Sequence, residues 1–191
     1  MYGLVLQCIE GYVRQNHGDA VWENIRRRAG VGQEVFLGAE AHDDSMVAGL
    51  IVTAADTLRV PASELLHALG RHWILHTAGS AYGSLLDGSG HTFGDFIMNL
   101  PEFHSRVARG FPQLQPPLFS CRQHSPGRVL LHYRSHRSSD LAPFVVGLLD
   151  GLGSRFNTPI EVRHQTRRAD GADHDEFLVA WSAQMAASKA A

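Results

Sequence analysis

The sequence predicts an α+β fold: a helical N-terminal half followed by a small antiparallel β-sheet with a packed helix. Two observations carry this reading. Up to residue 109 the apolar side chains recur at helical spacing, whereas beyond residue 118 short runs alternate in polarity and are separated by Pro-Gly and Asp-Gly turns. Leu4, Val5, Cys8, Ile9, Tyr12 and Val13 form the stripe of a first helix that gives way near Asn16-His17-Gly18. Val21, Trp22 and Ile25 mark a second, over Ala20–Ala29, closed by Gly30. The cap-like Asp43-Asp44-Ser45 precedes a third, with Val47, Leu50, Ile51, Ala54, Ala55 and Leu58 on one face. Pro61 opens a fourth, whose stripe is Leu65, Leu66, Leu69, Trp73 and His76.

Gly79, Gly83, Gly88 and Gly90 then read as loop punctuation. Phe93, Phe96, Ile97 and Leu100 indicate another helix, interrupted by Pro101, with further helical turns over Glu102–Arg109. In the second half, Leu118–Arg122 and Arg128–Ser135 are strand-like and flank Ser125-Pro126-Gly127. Pro143 starts a helix carrying Phe144, Val145, Leu148, Leu149 and Leu152. Ile160, Val162 and His164 alternate with polar neighbours, and Phe177, Val179 and Trp181 do so less strictly, about a turn near Asp170-Gly171. Without an internal repeat or a long linker, one domain is expected over residues 1–182, with 183–191 a flexible tail.

Composition removes several function classes. The chain has 191 residues, 44% hydrophobic and 19% charged, which fits a folded domain and not a disordered segment. Seventeen basic against nineteen acidic side chains leave a net charge of −2, so no electrostatic case for nucleic acid exists. Arg26-Arg27-Arg28 and Arg167-Arg168 read as ordinary solvated surface. No apolar run of about eighteen residues offers a membrane span, and the N-terminus lacks the basic region of a signal peptide. Cys8 and Cys121 are too few for a disulfide framework and read as buried, inert thiols. A cytoplasmic protein is expected.

Twelve histidines are the compositional oddity. His104 lies one turn after Leu100 and three residues before Val107, on or beside the buried stripe of its helix. A buried imidazole needs a partner, because an unpaired polar group costs roughly 1–3 kcal/mol. Spacing leaves two readings open: a core histidine bonded to a backbone carbonyl, or an axial ligand to a haem iron. Downstream, Tyr133, Ser135 and Arg137 fall at period two, which places a phenol, a hydroxyl and a guanidinium on one face of a strand. Such a row suits a pair of carboxylates, and it also suits the solvent face of an edge strand. His72 and His76 stand four residues apart and can chelate a metal across one helical turn, although no glutamate accompanies them in a zinc-hydrolase pattern. Ser135 and His136 point to opposite faces and cannot pair as nucleophile and base.

Taken together, these residues resemble the haem nitric oxide/oxygen binding (H-NOX) family, which includes the haem domain of the soluble guanylate cyclase β subunit and bacterial stand-alone relatives. The resemblance rests on Met1-Tyr2-Gly3, Val21-Trp22-Glu23, Asp43-Asp44-Ser45, the Pro101–Arg109 segment with His104, Pro116-Pro117, the Tyr-x-Ser-x-Arg motif, and Gly147-Leu148-Leu149. It runs in order from residue 1 to about 182, and Tyr-x-Ser-x-Arg is its most specific part. It implies a haem b held between the helical part and the sheet part. By the same resemblance His104 is the iron ligand, and Tyr133, Ser135 and Arg137 hold the propionates. Asp44 stands behind Arg137 as its carboxylate partner. Val5, Trp73, Pro117, Phe144 and Leu148 line the porphyrin.

The implied function is a non-enzymatic gas sensor that binds NO and CO at ferrous iron. Its signal would pass to a separate partner, a histidine kinase or a cyclic-dinucleotide or nucleotide cyclase, since no cyclase or kinase region follows in the sequence. Two alternatives stand beside it: an O2-binding sensor of the same family, and a His-rich metal-dependent enzyme built on His72 and His76.

Overall fold

The computed structural model describes residues 3–32, 35–38, 40–110, 117–135 and 141–182. Among these residues, seven α-helices and four strands follow in the order α1 Gly3–His17, α2 Asp19–Arg28, α3 Asp44–Leu58, α4 Ala62–His72, α5 Ala78–Asp87, α6 Phe93–Gly110, β1 Leu118–Ser125, β2 Arg128–Arg134, α7 Ala142–Arg155, β3 Ile160–Thr166 and β4 Asp175–Trp181. The expected α+β class is therefore observed, with one helix, α5, beyond those the sequence predicts.

The helices begin and end for local reasons. Gly18, at a φ of 86°, turns the chain between α1 and α2, and its amide bonds the Arg14 carbonyl at 3.0 Å. Past α3, Arg59 adopts left-handed geometry at φ 57°, and Val60 N reaches back to the Ala55 carbonyl oxygen. At the start of α6, Thr92 Oγ1 accepts from Asp95 N at 3.1 Å while Asp95 Oδ2 accepts from Thr92 N at 3.2 Å, a reciprocal cap.

Three local expectations are corrected. Gly79 and Gly83 lie inside α5, not in loops, although the helix is broken at Tyr82 by a φ of −134°. Ala78 and Leu86 bury into the core on either side, and that packing outweighs the low helix propensity of glycine. Between α4 and α5 the helix continues as a π turn, Trp73–Thr77. This wider turn inserts a residue into the stripe, so Trp73 stays packed while His76 rotates out to solvent. Pro101 does not interrupt α6, which runs unbroken through it. Its missing N–H frees the Ile97 carbonyl oxygen, and the Cys121 thiol on β1 supplies a replacement donor at 3.0 Å.

The sheet is antiparallel throughout, in the order β1-β2-β4-β3. Gly127, at φ 72°, closes the β1–β2 hairpin. Val129, Leu131 and Tyr133 of β2 pair with Val179, Phe177 and Asp175 of β4, and all six side chains are buried. The alternation along β4 is thus stricter than the sequence suggests.

Two hydrophobic cores result. One is built from α1 to α4 around Leu6, Trp22, Leu50 and Leu69; the other joins α5, α6 and α7 to the sheet around Phe93, Phe96, Leu149 and Phe177. Trp73 packs against both. Helices α4 and α7 cross with backbone against backbone: a Cβ on Gly147 would overlap the His67 carbonyl, and one on Gly70 would overlap that of Phe144. His67 Nε2 and Asp150 Oδ2, 2.6 Å apart, close the same crossing at its rim. Among the described residues no single helix is long and apolar enough to cross a membrane.

Candidate functional site

Between the two cores lies a cavity of about 260 Å³. Val5 of α1, Trp73 of the π turn, Phe144 and Leu148 of α7, and Pro117 ahead of β1 all contribute to its wall. His104 of α6 and Tyr133 of β2 line it too. Seven of the residues singled out from the sequence thus come together on one surface, drawn from six parts of the fold.

His104 is the polar centre of that surface. Its Nδ1 stands 3.0 Å from the Leu100 carbonyl oxygen, one turn back on α6. A carbonyl only accepts, so Nδ1 carries the proton and Nε2 keeps its lone pair. No hydrogen-bond partner meets Nε2 among the described residues. Burial pushes the imidazole pKa down, while the bond to Leu100 opposes this in part, so the ring is held neutral. Phe119 packs on it with ring centroids 4.6 Å apart, and Tyr133 packs on Phe119 at 5.2 Å, so the imidazole is fixed between α6 and the sheet. Trp73 and Phe144 meet edge to face at 6.4 Å.

Ser135 is buried just past the end of β2, and its carbonyl oxygen accepts from Arg168 Nη1 at 2.7 Å. The Arg168 amide in turn bonds Asp175 Oδ1 at 3.1 Å, and Asp175 takes His164 Nε2 at 2.9 Å. Ser135 is not part of the cavity wall. Asp44 lies in the exposed first turn of α3, and Arg137 lies outside the described residues.

Several contributors escaped the sequence reading. Phe119 looked like one residue of an ordinary strand. Tyr82, whose phenol pKa is raised by burial, sits in a segment read as loop, yet it lines the cavity. Asp175 falls at the inward period of β4, and an acidic residue in phase with Phe177 and Val179 was the available signal.

The His72/His76 pair does not build a metal centre. The two rings stack at 4.5 Å, and among the described residues no carboxylate or third imidazole lies within ligand reach. His72 is buried against Tyr12, and that burial, with the neighbouring His76 charge second, lowers its pKa to about 4. Burial likewise pushes the Cys8 and Cys121 thiols up to about 12, so neither is a ready thiolate.

An apolar cavity with one oriented, neutral imidazole on its wall suits an apolar group that takes a nitrogen ligand. Comparison with known proteins gives the class. The chain belongs to the Haem-NO-binding family, whose profile matches residues 2–164. This is a family of haem-based gas sensors, and the matched region is a sensor domain, not a catalytic one.

Among curated proteins, soluble guanylate cyclase gcy-31 of Caenorhabditis elegans is 28% identical over 163 residues, covering 85% of this chain and 23% of that protein. Guanylate cyclase soluble subunit beta-2 of Rattus norvegicus is 26% identical over 121 residues, covering 60% and 18%. The chain thus spans about a quarter or less of the length of these relatives. Among solved structures, an H-NOX protein from S. oneidensis in the Fe(II)NO state superposes with a TM-score of 0.87 at 21% identity, covering 95% of this chain and 99% of that one. A mutant H-NOX protein from K. algicida in the unliganded Fe(II) state gives 0.82 at 18% identity, covering 97% and 98%. These likenesses establish the fold.

Proposed function

We propose that this protein holds haem b in the cavity through His104 Nε2 and reads NO and CO at the ferrous iron. One observation carries the reading: the Leu100 carbonyl fixes the His104 tautomer so that the unshared lone pair belongs to the ring nitrogen left without a partner, on the wall of an apolar cavity. Haem bound there would supply a ferrous iron as the binding point for a diatomic gas. Val5, Trp73, Pro117, Phe144 and Leu148 press on the macrocycle and exclude water. Tyr133, Ser135 and Arg137 hold the propionates, with Asp44 orienting Arg137. The network from Asp175 through Arg168 to the Ser135 carbonyl supports the backbone from which that row projects.

Residues 1–182 act as one sensing unit, with 183–191 as a tail. The free thiols fit a cytoplasmic location. Because α6 carries His104 and touches β1 through Phe119 and Cys121, a displacement of His104 would be passed to the sheet side of the molecule. The receiving protein is a nucleotide or cyclic-dinucleotide cyclase or a histidine kinase; the guanylate cyclase names of the relatives support the first.

An absorption spectrum of the reduced protein with and without NO is the test. A Soret band at one haem per chain that shifts on adding NO is expected. A colourless protein that takes up no added haem overturns the reading.

A further inference from the structure

The outer face of the sheet carries three metal-ligating side chains that play no part in the cavity. His132 of β2 lies opposite Glu176 of β4, with Nε2 3.0 Å from Oε2. His174, one residue before β4, lays its ring on that of His132, with centroids 5.1 Å apart and planes 19° from parallel. One ligand atom from each residue lies within 4.8 Å of the other two. Their neighbours Tyr133 and Asp175 are buried on the opposite face, as the period of a strand requires.

We propose that His132, His174 and Glu176 form a binding site for a divalent cation of the zinc type, separate from the cavity. A tetrahedral zinc with bonds of about 2.0–2.2 Å holds neighbouring ligand atoms about 3.3 Å apart. The His132–Glu176 pair is already close to that spacing, and the ligand atom of His174 lies within 4.8 Å of both. His174 is also oriented for the task. Its Nδ1 donates to Asp173 Oδ1 at 2.6 Å, which leaves the Nε2 lone pair for the ion in the carboxylate–histidine–metal arrangement.

Asp173 pairs with the Arg134 guanidinium as well, so that charge is held by a carboxylate. Two imidazoles and one carboxylate are a donor set for zinc, and too poor in oxygen for calcium or magnesium. The side chains of His132, His174 and Glu176 are 35%, 28% and 18% exposed, which admits an ion and leaves its fourth position to water. An ion there ties the end of β2 to the start of β4, one residue from the buried Asp175.

The test uses full-length, haem-loaded protein stripped with a chelator and titrated with zinc chloride. Bound metal is counted by equilibrium dialysis and elemental analysis, and the melting temperature is followed in parallel. One zinc per chain and a raised Tm are expected. His174→Ala and Glu176→Gln should each weaken binding tenfold or more with an unchanged far-ultraviolet circular dichroism spectrum, whereas His91→Ala, an exposed loop residue, leaves it unaltered. Excess magnesium should not compete. No retained zinc, or equal affinity in wild type and both site variants, overturns the proposal and leaves the trio as a cross-strand ion pair.

Discussion

The Cys121 thiol donates to the carbonyl oxygen of Ile97, 3.0 Å away, at the one point in α6 where a proline withholds the helix's own N–H. A donor from the sheet therefore completes the hydrogen bonding of the helix that carries His104. Cys121→Val removes that donor and is expected to destabilise the protein by about 1 kcal/mol, read from the urea midpoint. In a Pro101→Ala background residue 101 regains its N–H, so the same valine substitution should cost much less. Equal costs in the two backgrounds would show that the thiol does not compensate for the proline.

His104→Gly should leave haem loosely bound and its ferrous spectrum restorable by added imidazole. An unchanged spectrum in that variant would move the ligand to another of the twelve histidines.

Arg137 is expected to retain haem better than Tyr133 or Ser135. A charge-assisted contact to a propionate contributes roughly 1.5–3 kcal/mol, against about 0.5–1.5 for a neutral one. Haem transfer to an acceptor apoprotein should accelerate most for Arg137→Ala. Three equal rates would argue against a propionate clamp.

Phe144 offers no hydrogen-bond donor, so bound O2, which carries partial negative charge, lacks a stabilising partner on α7. The loss of such a bond is worth on the order of 1–3 kcal/mol, roughly ten- to a hundredfold in affinity. Five-coordinate ferrous haem is expected in air-equilibrated buffer, with NO and CO bound on addition. Should a stable oxy spectrum appear, this expectation fails, and Trp73→Phe and Tyr82→Phe would identify the donor, because both side chains line the cavity.

His72 gives the stability a pH dependence of known sign. Burial first, and the His76 charge second, lower its pKa from the ordinary 6.5 to about 4. Between these values the unfolded chain binds a proton that the folded chain refuses, so stability falls as the pH drops from 6.5 towards 4 and levels off below. At about 1.36 kcal/mol per pH unit, the whole window is worth about 3 kcal/mol. Urea midpoints at pH 7, 5.5 and 4.5 should decline more steeply in the wild type than in His72→Gln.

What the sequence made legible and what it hid have the same physical origin. Val5, Phe144 and Leu148 stand on regular helices, where a period of 3.6 assigns each an apolar face, but it is the family resemblance and not the period that points them at the cavity they line. His76 was misplaced because a π turn changes that period, and nothing in Trp73–Thr77 announces the extra residue. Pro101 was read as a break because the donor that rescues its helix lies on a strand, 24 residues beyond the carbonyl it serves. The residues behind Ser135 were invisible for a related reason: Arg168 and Asp175 matter through contacts that only the folded sheet brings about.

The backbone-to-backbone crossing of α4 and α7 has a mechanical consequence. At Gly70 and Gly147 no layer of side chains separates the two helices, so there are no rotamers to yield when one is pushed against the other. Trp73, which directly follows α4, and Phe144 and Leu148 on α7 therefore behave as parts of a single stiff plate. His104 is mounted differently, on a proline-containing helix whose hydrogen bonding is completed by a thiol and whose neighbours are aromatic rings. A strain arising in the cavity therefore meets, on the side of α4 and α7, a wall with no side-chain layer to yield.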